Sequence, residues 1–403
     1  MEISFENTKI AFASKTDKEL KKAQFLFKAM HQAWLVRMGT RLTPWLLKWG
    51  VPIDKIIKHT IFTQFVGGEN LDDTKSVVEK LESYQVKVIL DYGVEGKEGE
   101  ASFETSKNEF IKVIEYAGLQ PNIPFISIKI TGFARFSLLQ KIDASIDSSI
   151  ALNGVINEQI LTAGEIIEWN DIKGRLLEIC EKARECNIGV LIDAEESWIQ
   201  NPVDALCMEM MEIFNQDKAI IYNTIQLYRH DRLQFLKSSL EISLQKNFVL
   251  GAKLVRGAYM EKERKRAKAL NYTSPIQVDK IKTDSDYNEA IDFCVKNLDK
   301  MYTIVASHNE ASNLYTTTLL NKTASSELNP RIHFSQLYGM SDNITFNLAQ
   351  AGYSVSKYLP FGPLRDVIPY LMRRAQENSS VSGQTGRELS LIQKELERRK
   401  LEG

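Results

Sequence analysis

Residues 173–187, "KGRLLEICEKARECN", lead almost directly into "GVLIDAEE" (189–196), and "PVDALCMEMMEIFNQ" (202–216) leads into "AIIYNTIQLY" (219–228). Each pair places a long amphipathic stretch before a short apolar run. The long stretches fit helices, and the short runs fit strands covered on both faces, as in parallel sheets. Such alternation calls for a parallel sheet with helical crossovers. The texture extends both ways, through "IFTQFVGG" (61–68), "VKVILDYG" (86–93), "PFISIKITG" (124–132), "VLGAKLVRGA" (249–258), "TIVASHN" (303–309), "RIHFSQLYG" (331–339) and "SVSKYLPFG" (354–362). Eight βα units close a (βα)8 barrel. The nine candidate strands therefore predict an α/β, TIM-like (βα)8 barrel with at least one run outside it. No Gly-x-Gly-x-x-Gly follows a strand, so a Rossmann domain has no support.

Three segments are expected: a helical arm over 1–58, the barrel over 59–385, and a polar, fraying tail helix over 386–403. The arm holds "KELKKAQFLFKAMHQAWLVRMGTRLTPWLLKWG" (18–50), with Phe25, Met30, Trp34, Leu35, Trp45 and Leu47 set among basic residues. Gly50 and Pro52 make a helix stop. The arm either packs on the main domain or offers a surface to a partner or lipid. "VEGKEGEASFETSKNE" (94–109) reads as a polar excursion before the next helix.

The chain has 403 residues, 43% hydrophobic and 26% charged, with formal net charge -1, so nothing points to nucleic acid. Cys180, Cys186, Cys207 and Cys294 form no C-x-x-C pair, which fits a reducing compartment. The five histidines form no zinc motif. No apolar run is long enough to span a bilayer, and the N-terminus lacks a signal-peptide pattern. The expected location is cytoplasmic, with peripheral contact at the inner membrane face as an extension.

Barrel enzymes carry their chemistry at the C-terminal strand ends. The polar residues there are Glu69, Lys129, Asp193 with Glu195 and Glu196, Gln226, Lys253, Arg256, His308, Gln336 and Tyr358. The acids could hold a hard cation through oxygen or pair with nearby Lys and Arg. So many cations fit an anionic ligand with balancing acids better than a divalent metal. On a strand, Lys253 and Val255 share one face, and Leu254 and Arg256 the other. Gly257-Ala258 would let a flat ligand approach the backbone. Near the C-terminus, "KYLPFGPLRDVIPYLMRRAQEN" (357–378) sets Arg373 beside Arg374. Two guanidinium groups with no acid between them suit a carboxylate or phosphate, or form an exposed basic turn.

The stretches "FVGGE", "SIKITG", "LIDAEES", "KLVRGAYMEKER", "VASHNE", "QLYGMSDNITFNLAQAGY" and "KYLPFGPLRDVIPYLMRRAQEN" resemble the proline dehydrogenase family, in the family's order over most of residues 60 to 380. The resemblance is nearest to the stand-alone enzymes. It implies a distorted (βα)8 barrel holding FAD, oxidation of L-proline to Δ1-pyrroline-5-carboxylate, and electron transfer to membrane quinone. It further implies that Arg373, Arg374 and Lys129 hold the proline carboxylate and that Glu69 pairs with Arg373. Tyr358, Tyr370, Tyr259, Leu254, Leu337 and Asp193 would line the proline pocket, and Gln226, Lys253, Arg256, Gly257, Ala258, His308 and Glu377 would surround the flavin. Lys253 stands where many bacterial members carry arginine, which removes a two-pronged donor there. Asp366 and Pro369 are expected at a helix start, with Glu377 within reach of either arginine. Three readings compete with this one: a hydroxyproline dehydrogenase of the same family, a metal-dependent barrel lyase or hydrolase using Asp193 and Glu195, and a catalytically silent barrel that binds a partner through its arm.

Overall fold

The structure, a computed structural model, describes residues 3–49, 53–93, 98–322, 329–380 and 384–402. Eight strands close a parallel barrel in sequence order: β1 (Lys87–Tyr92), β2 (Phe125–Ile128), β3 (Gly189–Ile192), β4 (Ile221–Gln226), β5 (Leu250–Val255), β6 (Met301–Ala306), β7 (Ile332–Leu337) and β8 (Val355–Phe361). The register runs Ile89 to Phe125, Phe125 to Gly189, Val190 to Ile221, Asn223 to Ala252, and Leu250 to Met301. Strand residues are buried almost throughout, as the apolar runs require. By packing, the chain divides into two compact units, Ile89–Phe334 and Met1–Val88 with Ser335–Gly403.

The first unit is stacked from helix–strand pairs. Ala163–Cys186 precedes β3, opened by a Thr162–Glu165 capping box and closed by Asn187 in the left-handed conformation. Gln200–Phe214 precedes β4. Beneath the strand ends lies a fully buried ion pair, Arg232 Nη1 to Asp204 Oδ2 at 2.7 Å. Gln200 and Asn223 also donate to Asp204 Oδ1, each at 2.9 Å, so the buried carboxylate is heavily bonded. The polar stretch after β1 is shorter than expected, because Glu100–Gly118 is already helix; residues 94–97 of it lie outside the described residues.

In the second unit, "IFTQFVGG" is not a strand. Lys58–Phe62 forms a π-helical turn that continues as helix through Phe65. Phe62, Phe65 and Val66 are buried while Thr63 is exposed, a helical period too short to show in so brief an apolar run. The described part of the arm carries the helices Thr8–Ala11, Asp17–Met30, Ala33–Lys48 and Asp54–Ile57, and the expected stop at Gly50 and Pro52 lies outside the described residues. Phe27, Met30 and Val36 join one core with Leu391, Ile392 and Leu396. The C-terminal helix Gln384–Glu402 is therefore packed rather than frayed: its charged sequence conceals one apolar stripe. Gly339 has φ +80°, and a Cβ there would stand 2.0 Å from the Gln64 carbonyl, so the turn after β7 requires glycine.

Candidate active site

In the Ile89–Phe334 unit the strand ends carry alternating charges. Lys129 follows β2, Asp193 follows β3, Lys253 lies in β5 and Asp91 in β1. Asp193 Oδ1 accepts from the Lys253 ammonium, and Asp193 Oδ2 stands 3.7 Å from Lys129 Nζ. Lys129 is also 3.4 Å from Asp91 Oδ1. Two cations and two anions thus balance in a nearly water-free cluster, all four side chains at least 86% buried. The acids that a metal reading needs are engaged elsewhere: Asp193 by lysines, and Glu195 by the Thr131 hydroxyl at 2.8 Å. Among the described residues no group of three or more His, Cys, Asp and Glu could hold a metal ion.

Glu195 joins three strand ends. Its carboxylate accepts from Thr131 beyond β2, its carbonyl accepts from Gln226 Nε2 of β4 at 2.6 Å, and its N–H donates to Gln200 Oε1 at 3.3 Å. The helix Met260–Leu270, after β5, ties to the same loop. Glu263 accepts from both the N–H and the hydroxyl of Ser197 at 2.7 Å, and Lys262 pairs with Glu196.

Arg256, just past β5, is splayed by three partners. Its Nε donates to Asp284 at 3.0 Å, Nη1 to Ser307 at 2.6 Å and Nη2 to Ser312 at 2.8 Å, with the guanidinium 3.8 Å from the Tyr287 ring centroid. A guanidinium held this way is a fixed positive charge suited to a diphosphate. Gln226 Nε2 already donates to the Glu195 carbonyl and to the Tyr228 hydroxyl, whereas the Lys253 ammonium on the neighbouring strand pairs with Asp193 and keeps protons to offer the carbonyl of a flat ring. This donor set fits a dinucleotide cofactor. A Cβ at Gly257 would come within 2.5 Å of the Met260 side chain and 3.2 Å of the Tyr228 ring, so backbone and ring are closely packed there. Ala258 is exposed, Tyr259 opens the next helix half-buried, and His308 is half-buried in the loop after β6. Leu254 is buried in β5.

In the other unit, Arg373 and Arg374 lie on the helix Leu364–Ser380 that follows β8. Arg374 is buried, with Nη2 2.7 Å from Glu377 Oε1 and the guanidinium 5.2 Å from the Tyr370 ring centroid. Arg373 is half-buried. Burial pushes the Glu377 carboxyl above its ordinary range against the pull of both arginines. The helix begins earlier than expected: Leu364 is its first residue, and Pro369 is interior. A proline there deprives the carbonyl four residues back of its helical partner.

Glu69 is engaged by Lys58 rather than by Arg373, and it accepts from the Leu364 N–H at 3.3 Å, so it caps the arginine helix instead of bracing its arginine. Lys58 lowers the Glu69 carboxyl. Tyr358 and Tyr370 are buried, Leu337 ends β7 half-buried, and Gln336 accepts from the Thr345 hydroxyl at 2.8 Å.

The sequence reading missed Asp91, Thr131, Glu263, Asp284, Ser307 and Ser312. Asp91 closes the apolar run "VILD" and obeys the same strand-end rule as the residues singled out. The hydroxyls carry no sequence signal, because serine and threonine at loop starts are ordinary.

The Proline dehydrogenase family profile matches residues 74–387. Proline dehydrogenase 1, mitochondrial, of Dictyostelium discoideum is 32% identical over 379 residues, covering 86% of this chain and 66% of its own length. The hydroxyproline dehydrogenase of Xenopus laevis is 32% identical over 378 residues, covering 88% of this chain and 79% of its own. In fold, proline utilization A from Bdellovibrio bacteriovorus, inactivated by N-propargylglycine, superposes with TM-score 0.69 at 20% identity, over 96% of this chain and 38% of that one. The chain thus spans about two thirds of the amoebal relative and well under half of the structural one. With a profile match over most of its length and relatives of this identity, the chain belongs to the proline dehydrogenase family.

Proposed function

We propose that this chain oxidises L-proline to Δ1-pyrroline-5-carboxylate with FAD as cofactor and passes the electrons to a quinone. The observation that carries the reading is the buried Lys129–Asp193–Lys253 array at the strand ends of a chain whose profile match spans residues 74–387. FAD, when bound, supplies the hydride acceptor, and the difficult redox chemistry belongs to it. Gln226, Lys253, Arg256, Gly257, Ala258, His308 and Glu377 are assigned to holding it.

The protein's part is to bind and orient a small zwitterion. Lys129, Arg373 and Arg374 are each assigned to the substrate carboxylate, and a buried cation loses little reorganisation energy on meeting an anion. Leu254, Tyr259, Leu337, Tyr358 and Tyr370 are assigned to the ring, fixing the plane from which the hydride leaves. The substrate ammonium first gives up a proton, the freed lone pair then expels hydride from the neighbouring carbon to form a C=N iminium, and the iminium loses its remaining N–H proton to give the imine. Asp193 holds Lys129 and Lys253 in place, and its negative charge favours the cationic iminium that precedes proton loss.

The test is the visible spectrum of the purified protein before and after anaerobic L-proline. A flavin spectrum that bleaches with proline and without NAD is expected. A colourless protein that needs a divalent metal, or a flavin that stays oxidised at saturating proline, would overturn the reading.

A further inference from the structure

The Ile89–Phe334 unit holds a cavity of about 510 Å³ whose lining includes none of the residues assigned above to substrate or flavin. Its walls come from the helix Phe136–Asp143 after β2, the loops after β3 and β4, and the helix Met260–Leu270 with the segment that follows it. The charged side chains in the lining are Asp143, Arg229 and Arg266. Arg229 is buried, with Nε and Nη2 donating to Asp231 at 3.1 and 2.7 Å and Nη1 to Gln226 Oε1 at 3.3 Å. Both of its terminal nitrogens keep an N–H to offer. The Arg266 guanidinium stands 4.3 Å from the Trp198 ring centroid and pairs with no carboxylate among the described residues. Asp143 spends Oδ2 on the Asn201 N–H at 2.8 Å, and Oδ1 accepts nothing among the described residues. Burial pushes its carboxyl up to about 7 against the pull of Arg229, the mark of an acid that lacks a cation of its own.

Guanidinium groups with spare donors beside an acid with a spare acceptor complement a ligand that carries both charges. A plain anion would meet the arginines but face Asp143 as a like charge. A plain amine would meet Asp143 and leave both arginines unanswered. An α-amino acid satisfies all of them, because its carboxylate and ammonium sit on one carbon. Ala144, Trp198, Leu270 and Pro275 add apolar wall to the same cavity. Pockets of about 300–1,000 Å³ take drug-sized molecules, so an amino acid as small as proline would leave much of this space to water. A large apolar side chain would fill it. Arg256, the fixed charge suited to a diphosphate, is absent from the lining, so the cavity is distinct from that donor set.

We propose that this cavity binds an L-α-amino acid with a large apolar side chain, its carboxylate on Arg229 and Arg266 and its ammonium on Asp143. The site is a second one, separate from the pocket assigned to the substrate. Through Arg229 it reaches Gln226, so its occupant touches the strand end of β4 by one hydrogen bond. The binding itself stands apart from the redox reading above and is measured without it.

The experiment is equilibrium dialysis of the full chain, as purified, against labelled L-phenylalanine, which should bind saturably. L-Phenylalaninamide, without the carboxylate, and N-acetyl-L-phenylalanine, without the ammonium, should each displace it at least about tenfold more weakly, since each lacks one partner of a charge pair. Asp143→Asn keeps an acceptor for the Asn201 N–H, and Arg266→Gln keeps a donor beside Trp198. Each should weaken phenylalanine at least about tenfold, while dye-linked proline turnover matches the parent and shows that the variant folds. Arg374→Met, which removes a member of the assigned substrate clamp, should leave phenylalanine binding unchanged. No saturable binding, equal displacement by either blocked analogue, or full affinity in Asp143→Asn would overturn the proposal. Loss of binding in Arg374→Met would overturn it by placing phenylalanine in the substrate pocket, and displacement by inorganic phosphate that Asp143→Asn strengthens would overturn it in favour of a site for plain anions.

Discussion

Both carboxylate oxygens of Glu195 accept from the Thr131 hydroxyl, at 2.9 and 2.8 Å. Thr131 lies two residues after Lys129, and Glu195 two residues after Asp193. The pair therefore fixes the spacing of the loops that carry the Lys129–Asp193 contact. Thr131→Val would leave a buried carboxylate without that donor, a loss of about 1–3 kcal/mol, or more for a charged group. Thermal unfolding should show that loss, and the KM for proline should rise more than kcat falls. Thr131→Ser should restore most of both. Valine and serine variants that behave alike would mean that the hydroxyl does not position Lys129.

Arg374 is buried and braced by Glu377 at 2.7 Å. Arg374 is assigned to the clamp on the substrate carboxylate, and removing one partner of such a desolvated clamp costs about 2–5 kcal/mol. Arg374→Met should therefore lower kcat/KM for proline by roughly thirty-fold to several thousand-fold. Flavin content should hardly change. Near-normal kcat/KM would assign Arg374 to helix packing alone.

Tyr358 lies buried on β8. A phenol ring against the substrate ring leaves no room for an added hydroxyl, so L-proline should be preferred over trans-4-hydroxy-L-proline. A steric pocket of this kind discriminates by about ten- to two-hundred-fold. Tyr358→Ser should narrow the ratio by weakening proline more than hydroxyproline. The measurement is kcat/KM for both substrates in both proteins with one dye acceptor, and an unchanged ratio removes Tyr358 from specificity.

Glu388 on the C-terminal helix accepts from the Ser341 N–H at 2.5 Å, and burial with the nearby Asp342 charge pushes its carboxyl up to about 7, against the pull of Lys357 and Lys15. Folding favours its protonated form, so its contribution to stability is greatest below the unfolded value of 4.5, is lost as pH rises, and is gone above about 7. Asp342, held at about 2 by Lys15 and Lys357, titrates below that window. Glu388→Gln should flatten the stability profile between those limits and stabilise the protein above pH 7, by up to roughly 3 kcal/mol at about 1.4 kcal/mol per unit. Denaturant unfolding at several pH values checks it; a parallel shift of the whole curve would show that Glu388 does not titrate there.

The barrel was legible because parallel strands buried on both faces leave continuous apolar runs, and eight of the nine runs are its strands. The ninth, "IFTQFVGG", misled because a helix of one or two turns with Phe62 and Phe65 inward is too short to reveal its period. The same limit hid the packed stripe of Leu391, Ile392 and Leu396 in a charged tail, and the interior place of Pro369 in its helix.

The sequence by itself determined the family, the order of the barrel elements and the residue types at the strand ends, because periodicity and long motifs are local properties of the chain. Only the tertiary structure decided which charges meet: that Asp193 lies against Lys253 and near Lys129, that Asp91 joins them, and that Glu69 takes Lys58 rather than Arg373. Such partners are tens of residues apart or lie on separate elements, and the register and closure that bring them together depend on every intervening helix.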